Sequence, residues 1–304
     1  MSSQTLKLSK QRIDEMRQHY QEYLQPPVQY SEFRAKKNGV TITAYTSGKV
    51  LFQGNNADQE ANLWGDIQAS QAPHPKTLQS NHSYSYKDKI LIGSDEVGNG
   101  SYFGPLTVCA AYVSPANYPL LKELGIKDSK LLSDTQIREL AWQIKASIKY
   151  HLTICPPEKY NAHIERLNAV GIKVSLHNFT IQKLVAKLSV DERSSLNGVL
   201  IDQFTPPANY LKHLKREQNP YTENLIFEKK AESLHLAVAC ASIIARDAFL
   251  ESLETLGKPY QTTLPSGAGA NVDKFGRQLV AKFGPQVLKN TAKLHFRNTQ
   301  KILK

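Results

Sequence analysis

Hydrophobic positions along this chain follow first a helical and then a strand-like pattern. Near the N-terminus Ile13, Met16, Tyr20 and Leu24 recur every three or four residues, which predicts a helix over residues 9–24. Short alternating apolar and polar segments follow, and they predict strands at residues 30–35, 40–45 and 49–53. Asn38 and Gly39 predict a hairpin turn between the first two strands. With a second helix predicted at residues 57–67, the first 68 residues form a small α+β domain.

The next segment, residues 69–87, loses this periodicity. It is polar and contains Pro73 and Pro75, which is typical of a linker between domains. The alternative is a long ordered loop inside a single domain. We therefore predict an N-terminal domain over residues 1–68, a linker over residues 69–87 and a second domain over residues 88–304.

Beyond residue 88 the pattern predicts a mixed α/β domain. Apolar runs predict strands at residues 90–94, 106–113, 149–154 and 199–201. Helical spacing predicts helices at residues 157–167, 170–188 and 234–253. Another helix is predicted after Ser133, which forms a capping box with Gln136 and precedes Ile137, Leu140 and Ile144 at helical spacing.

Composition narrows the function classes. The chain has 304 residues, a formal net charge of +11 and three widely spaced cysteines. No apolar run is long enough to cross a membrane, and the N-terminus lacks an apolar signal core. These features predict a cytoplasmic protein with reduced thiols. The last 31 residues, from Lys274 to Lys304, contain eight basic residues and no acidic one, which favours a polyanionic partner, although a solvated basic helix face is an equal alternative.

Four carboxylates stand where predicted elements begin or end. Asp95 and Glu96 close the apolar run from Ile90, Asp202 closes the next buried strand, and Glu232 precedes the long apolar helix. Clustered carboxylates raise each other's pKa, whereas Mg²⁺ or Mn²⁺ removes that penalty because hard cations choose oxygen ligands. Each acid also has a purely structural alternative: Asp202 as a turn cap and Glu232 as a first-turn acid on a helix.

Several motifs resemble those of type 2 ribonucleases H, and specifically those of bacterial ribonuclease HIII. They are SDEVGNGSYFGP at residues 94–105, KDSKLL at residues 127–132, Asp202, KAE at residues 230–232 and ASIIARD at residues 241–247. The resemblance covers residues 89–304. It implies a ribonuclease H-like α/β domain with a mixed sheet and flanking helices. The first domain resembles the extra domain of ribonuclease HIII, whose fold is like half of the TATA-box-binding protein.

The resemblance also implies the site. Asp95, Glu96, Asp202 and Glu232 match the family's four catalytic and metal-binding carboxylates, which hold two Mg²⁺ or Mn²⁺ ions. The turn Gly98, Asn99, Gly100 and Ser101 matches the segment that contacts ribose 2′-hydroxyls, and Lys130 matches a phosphate contact whose alternative is a solvated surface lysine. Ser101 stands where the family more often has Asp, so the turn or metal geometry is expected to differ slightly.

The implied activity is hydrolysis of the RNA strand of RNA/DNA hybrids, leaving 3′-hydroxyl and 5′-phosphate ends. The first domain would then bind the hybrid through aromatic and basic residues on its sheet, unless these form its core and a solvated rim. They are Tyr30, Phe33, Arg34, Lys36, Lys37, Tyr45, Lys49 and Phe52. No obligate protein partner and no membrane are implied, and a monomer is expected.

Three other classes fit less well. A dinucleotide-binding oxidoreductase needs G-x-G-x-x-G before a helix, whereas Gly98, Gly100 and Gly104 are spaced one residue wider and Pro105 precedes a predicted strand. A non-catalytic nucleic-acid-binding module explains the charge but leaves the carboxylates unexplained. A zinc hydrolase is disfavoured because the nine histidines show no metal-ligand spacing.

Overall fold

A computed structural model describes residues 2–28, 31–65, 86, 88–126 and 132–304. The chain divides into two compact units, Met1–Asn81 and His82–Lys304. Each is described by itself. Of the predicted linker at residues 69–87 only Tyr86 lies among the described residues, so the linker and the domain boundaries stay predictions.

The N-terminal unit is a five-stranded antiparallel sheet with two helices. Its elements are β1 (Ser2–Lys7), α1 (Lys10–His19), β2 (Leu24–Gln25), β3 (Ser31–Lys37), β4 (Val40–Tyr45), β5 (Lys49–Gly54) and α2 (Ala57–Asn62). The strand order is β1-β5-β4-β3-β2. Asn38 and Gly39 adopt positive φ between β3 and β4, which confirms the predicted hairpin.

One face of this sheet packs on both helices. Alternate residues of β4, Val40, Ile42 and Ala44, are buried in a core with Ile13 and Met16 of α1. Phe33 and Phe52 are also buried there, at 3% and 0% exposure. The prediction that these two aromatic residues bind the hybrid from the sheet surface is therefore wrong, because the helices cover the face from which they project. The alternative, in which they form the core of the domain, holds for both. Arg34 and Lys36, which alternate with Phe33 along β3, belong to the other face.

The C-terminal unit is built on a five-stranded mixed sheet in the order β10-β9-β6-β7-β8. Its strands are β6 (Leu91–Val97), β7 (Leu106–Val113), β8 (Tyr150–Cys155), β9 (Gly198–Asp202) and β10 (Leu225–Glu228). Strands β6, β7 and β8 are antiparallel, while β6, β9 and β10 are parallel. The predicted α/β fold with a mixed sheet and flanking helices is confirmed.

The helices of this unit flank the sheet and continue into a C-terminal group. They are α3 (Tyr118–Glu123), α4 (Asp134–Ser147), α5 (Pro157–Ile164), α6 (Ala169–Val185), α7 (Val190–Ser194), α8 (Pro207–Leu214), α9 (Leu236–Gly257), α10 (Ala270–Phe283), α11 (Val287–Thr291) and α12 (Arg297–Leu303). The capping box predicted for α4 is present, with Ser133 accepting from the Gln136 amide.

Both faces of the sheet are covered, and β7 shows how. Cys109 and Ala111 pack in the core formed with α4 and α9, whereas Ala110 and Tyr112 pack in the core formed with α6 and α8. Successive side chains of a strand point to opposite faces, so the whole of β7 is buried. This explains its continuous apolar sequence.

Helix α9 lies directly against β6 because of Gly93. A Cβ added at Gly93 would lie 2.2 Å from the Val238 amide nitrogen of α9. Any side chain at this position would therefore push the helix away from the strand. The close approach brings α9, and the turn that precedes it, up to the strand that carries Asp95.

The C-terminal helices pack on the turn between β6 and β7, with Tyr102 and Phe103 in their core. Lys293 is 1% exposed, so it does not belong to a solvated basic stripe as its sequence position had suggested. In the part of the chain that the structure describes, no helix combines the length and the hydropathy needed to cross a bilayer.

Candidate active site

Asp95, Glu96 and Asp202 lie at one edge of the C-terminal sheet. Strand β6 extends through Asp95 and Glu96 to Val97, further than the predicted end at Ser94, because its pairing with β7 continues to Thr107. Strand β9 runs parallel to it with Ile201 opposite Ser94 and ends at Asp202. Parallel strands present their carboxyl ends at the same edge, so Asp202 stands beside Asp95.

The two adjacent acids project to opposite sides of the sheet. Asp95 pairs with Cys109, whose side packs on α9, and Asp95 accepts a hydrogen bond from Ser242 of α9. Glu96 projects toward α6. A single Asp-Glu dipeptide therefore reaches both helical layers at the strand end.

Asp95 is buried, and its surroundings disfavour its negative charge. Its side chain accepts from the Glu96 amide at 2.8 Å as well as from Ser242. Burial, together with the nearby charges of Glu96 and Asp202, raises the pKa of Asp95 to about 8 despite these hydrogen bonds. In the folded protein Asp95 is therefore harder to ionise than in the unfolded chain.

Glu96 has cationic and imidazole partners on α6. Its Oε1 accepts from Lys173 Nζ at 3.1 Å, and its Oε2 lies 3.1 Å from His177 Nε2. The other nitrogen of that imidazole, Nδ1, lies 2.8 Å from the hydroxyl of Ser94. The side chains of Glu96, Lys173 and His177 are at most 8% exposed, so this is a buried polar group on the α6 side of the strand.

The turn that carries Glu232 lies beside the end of β9. Glu232 lies in the 3₁₀ turn Ala231–Ser233 ahead of α9 and is 7% exposed. Asp202 Oδ1 accepts from the amide of Ala231 at 3.0 Å, which ties that turn to the end of β9. Asp202 thus caps a turn, as the structural alternative for this residue predicted. The same hydrogen bond holds Ala231, which precedes Glu232, against Asp202.

The donor set fits hard divalent cations by its chemistry. Asp95, Glu96 and Asp202 at this edge and Glu232 on the adjoining turn offer oxygen ligands, and a cation would offset the burial and the neighbouring charges that raise the pKa of Asp95. Among the described residues, however, no three His, Cys, Asp or Glu side chains are already grouped as a metal site. Both oxygens of Glu96 contact Lys173 and His177, so an ion would meet a carboxylate that already has these two partners.

The turn after Glu96 combines an open tip with a tightly bound base. Asn99 and Gly100 are exposed, and a Cβ at Gly100 would meet no atom within 4 Å. Gly98 has φ +96° and no room for a side chain, since a Cβ would lie 2.3 Å from the Pro105 carbonyl oxygen. Ser101 is buried, where its hydroxyl donates to the Phe103 carbonyl and accepts from the Gly267 amide.

These positions bear on the predicted substrate contacts. The tip, Asn99 and Gly100, is open to a ligand, whereas the Ser101 side chain faces inward and joins the turn to the loop around Gly267. Lys130 and most of the motif at residues 127–132 lie outside the described residues. After Pro105 the chain enters β7 rather than a helix, so the oxidoreductase alternative fails.

Sequence reasoning missed Ser242, Lys173 and His177. Ser242 lies inside the motif at residues 241–247 but was not singled out. Lys173 and His177 stand four residues apart on the buried part of α6. Two ionisable residues at that spacing, among apolar residues such as Ile172 and Val174, were the available signal.

Comparisons with known proteins agree with one another. The family model described as "Ribonuclease HII" matches residues 92–299, and a domain of unknown function, DUF3378, matches residues 3–77. Ribonuclease HIII of Enterococcus faecalis is 46% identical over 98% of this chain and 97% of its own length. Ribonuclease HIII of Bacillus licheniformis is 44% identical over 99% of this chain and 97% of its own. The crystal structure of Bst-RNase HIII in complex with Mn²⁺ has a TM-score of 0.69 at 36% identity, covering 99% of this chain and 98% of that one.

Proposed function

The chain belongs to the ribonuclease HII family and, within it, to the ribonuclease HIII proteins, which makes it a ribonuclease H hydrolase, and from this premise we propose that it cleaves the RNA strand of RNA/DNA hybrids endonucleolytically. Cleavage leaves 3′-hydroxyl and 5′-phosphate ends. The observation that carries the proposal is the edge of the C-terminal sheet where Asp95, Glu96 and Asp202 close neighbouring strands and Glu232 follows on a bound turn.

Each carboxylate has a distinct role in this proposal. Two Mg²⁺ or Mn²⁺ ions, when bound, activate the attacking water and stabilise the leaving oxygen. Asp95, whose pKa is raised by burial and by the nearby charges of Glu96 and Asp202, would hold the ions from the end of β6. Glu96 and Asp202 complete the ligand set from the two strand ends, and Glu232 completes it from the turn before α9.

Recognition of RNA is assigned to the turn after Glu96. Its backbone at Gly98, Asn99 and Gly100 can approach the minor groove, where RNA displays its 2′-hydroxyls, because no side chain crowds Gly100. Ser101 supports the turn from inside. Lys130 is proposed as a phosphate contact on its sequence position alone.

The proposed setting is a monomer in a reducing cytoplasm. The reducing setting is supported by three cysteines that are all unpaired and buried, Cys109, Cys155 and Cys240. Size-exclusion chromatography with light scattering, with and without reductant, tests the monomer.

The test compares two labelled substrates, a continuous RNA/DNA hybrid and a DNA duplex that holds one ribonucleotide, with Mg²⁺, with Mn²⁺ and with chelator. We expect metal-dependent cleavage of the hybrid and poor cleavage at the single ribonucleotide. Products should accept nucleotides at their 3′ ends and label at their 5′ ends only after phosphatase treatment. Asp95→Asn should lose nearly all cleavage while it still binds the hybrid.

Asp191→Asn is the matched control, because Asp191 is exposed in the first turn of α7. It should cleave like the wild type. Wild-type activity of Asp95→Asn would reject the site. Efficient incision at the single ribonucleotide would assign a ribonuclease HII-like specificity instead, and hybrid binding without any cleavage would favour a non-catalytic module.

A further inference from the structure

Lys173 occupies an unusual place for a cation in a site that is expected to hold metal ions. Its ammonium group donates to Glu96 Oε1 at 3.1 Å, and the two side chains are 6% and 8% exposed. A buried ammonium without a partner is strongly disfavoured, and so is a buried carboxylate. Each group therefore stabilises the other in the protein without a metal ion.

The surroundings of Lys173 limit where its ammonium can go. The nitrogen lies 4.0 Å from the centroid of the Phe204 ring, which is within cation–π range. The imidazole of His177 stacks on the same ring at 5.1 Å and contacts Glu96 Oε2 at 3.1 Å. Phe204 thus offers the ammonium a second partner besides the carboxylate.

The arrangement creates competition for Glu96. Both carboxylate oxygens are already engaged, one with the Lys173 ammonium and one with the His177 ring. A divalent ion that takes Glu96 as a ligand brings its positive charge close to the Lys173 ammonium, and the two cations repel each other. The ammonium supplies the same kind of charge balance as the ion, so the two cations stabilise the carboxylate alternately.

Resting on the metal-dependent function proposed above, we infer that Lys173 is a built-in counter-cation that holds Glu96 in the absence of a divalent ion and competes with that ion for it. Its pairing with Glu96 sets the metal concentration at which the site fills. Lys173 is accordingly a positioning residue that acts through Glu96. When the ion binds, the ammonium is retained on the Phe204 ring.

The test is Lys173→Met, which keeps an unbranched side chain of nearly the same length and removes its charge. Mn²⁺ binding is measured by calorimetry without substrate, and melting temperatures are measured with chelator and with Mn²⁺. We expect the Mn²⁺ dissociation constant to fall about tenfold, a low melting temperature with chelator, and a larger rise on adding Mn²⁺ than in the wild type. The Lys173→Arg variant keeps the charge, so its Mn²⁺ dissociation constant should equal that of the wild type.

Lys183→Met is the matched control on the same helix. Lys183 also lies over an aromatic ring, 5.3 Å from the centroid of the Phe179 ring, but its side chain is exposed, whereas that of Lys173 is buried. It should bind Mn²⁺ like the wild type. In a Glu96→Gln background, Lys173→Met should no longer change Mn²⁺ affinity, because the carboxylate for which the two cations compete is gone.

Equal Mn²⁺ affinity in Lys173→Met and Lys183→Met would overturn the inference, and so would weaker binding in Lys173→Met, which would make the lysine a support for metal binding. A wild-type protein that neither binds Mn²⁺ nor cleaves would instead count against the proposed function. If Lys173→Met does not fold, the wild type is titrated with Mg²⁺ while the Lys173 side-chain nitrogen is followed by NMR. That resonance should shift in step with Mg²⁺ binding, and an unchanged resonance contradicts the inference.

Discussion

At the scale of single residues, the ionised Asp95 side chain lowers the stability of the folded protein. A carboxylate placed between the sheet and α9, close to Glu96 and Asp202, has its pKa raised to about 8. The folded protein thus prefers Asp95 protonated, while the unfolded chain ionises it near its ordinary value. The same negative charge that opposes folding is what attracts a divalent cation.

The sign of this effect predicts how Asp95→Asn changes stability with pH. Because the pKa of Asp95 is higher in the folded protein than in the unfolded chain, protonation of Asp95 stabilises the fold. This contribution is fully present below pH 3.8, the ordinary pKa, and is lost as the pH rises through about 8, the pKa in the folded protein. Asn mimics the protonated acid at every pH. In metal-free protein we therefore expect Asp95→Asn to melt a few degrees higher than wild type at pH 9, with a difference that shrinks steadily toward pH 5.

Thermal melts in chelator at pH 5, 7 and 9 check this prediction. Asp191→Asn, on an exposed position, should shift the melting temperature by the same small amount at each pH. A pH-independent difference for Asp95→Asn would show that its charge does not oppose folding. Added Mn²⁺ should reverse the order, because it stabilises the wild type more than the variant.

The four carboxylates could be selected from the sequence because each adjoins an apolar run that could be predicted as a strand or a helix together with its end. Lys173 and His177 could not be connected to Glu96 in this way. They lie on a helix far along the chain, and only the packing of α6 on the sheet brings them to the strand end. Such a contact depends on tertiary structure, which local periodicity does not encode.

At the scale of elements, the turn between β6 and β7 is held by the C-terminal segment. Phe103 pairs with Ala292 in an isolated bridge, and the Lys293 amide donates to the Tyr102 carbonyl at 2.8 Å. The Lys293 ammonium donates to the carbonyls of Gly104 at 2.6 Å and Pro105 at 3.3 Å. The open tip of the turn thus stands on a base fixed by residues nearly two hundred positions later in the chain.

Lys293→Met should therefore loosen the turn. Two buried carbonyls lose a donor, which costs about 1–3 kcal/mol, and the proposed substrate contacts at Asn99 and Gly100 lose their fixed base. We expect a melting temperature several degrees lower and a KM for the hybrid that rises severalfold, with a smaller change in kcat. Melting curves and steady-state cleavage kinetics measure these effects.

Lys289→Met controls for the loss of one positive charge from the same segment, since Lys289 is exposed on α11. It should leave the melting temperature unchanged. If Lys293→Met lowers kcat and leaves KM as it was, the turn does not position substrate through Lys293.

The ends of helices and strands could be predicted where the hydrophobic pattern or a capping motif was clear. Strands β4 and β7 begin and end where alternation or a continuous apolar run predicted, and α4 begins at its capping box. Strands β1, β2 and β10 were missed, and the helix predicted over residues 9–24 ends at His19, before β2. The sequence of β1, SSQTLK, is mostly polar, and it is a strand only because it pairs with β5 at the edge of the sheet.

At the scale of the whole molecule, the division of labour between the two units can be tested. The N-terminal unit has its own core, and Arg34 and Lys36 project from the sheet face opposite its helices. The C-terminal unit has its own sheet and all four carboxylates. The class of each unit was predictable from the switch between periodicities, whereas the strand order was not, because it depends on long-range pairing.

Deleting residues 1–85 should therefore weaken hybrid binding and spare the chemistry. We expect KM for the hybrid to rise about tenfold or more at physiological salt while kcat stays within about twofold, since lost phosphate contacts reduce affinity without touching the carboxylates.

Because the deletion removes a whole folded unit, the full-length double variant Arg34→Ala/Lys36→Ala is the sharper test. Each lost phosphate contact should reduce the slope of log affinity against log salt by about 0.9, so this variant should lose up to about 2. An unchanged salt slope in the double variant, or an unchanged KM after deletion, would reject hybrid binding by this sheet and leave recognition to the turn at Gly98, Asn99 and Gly100.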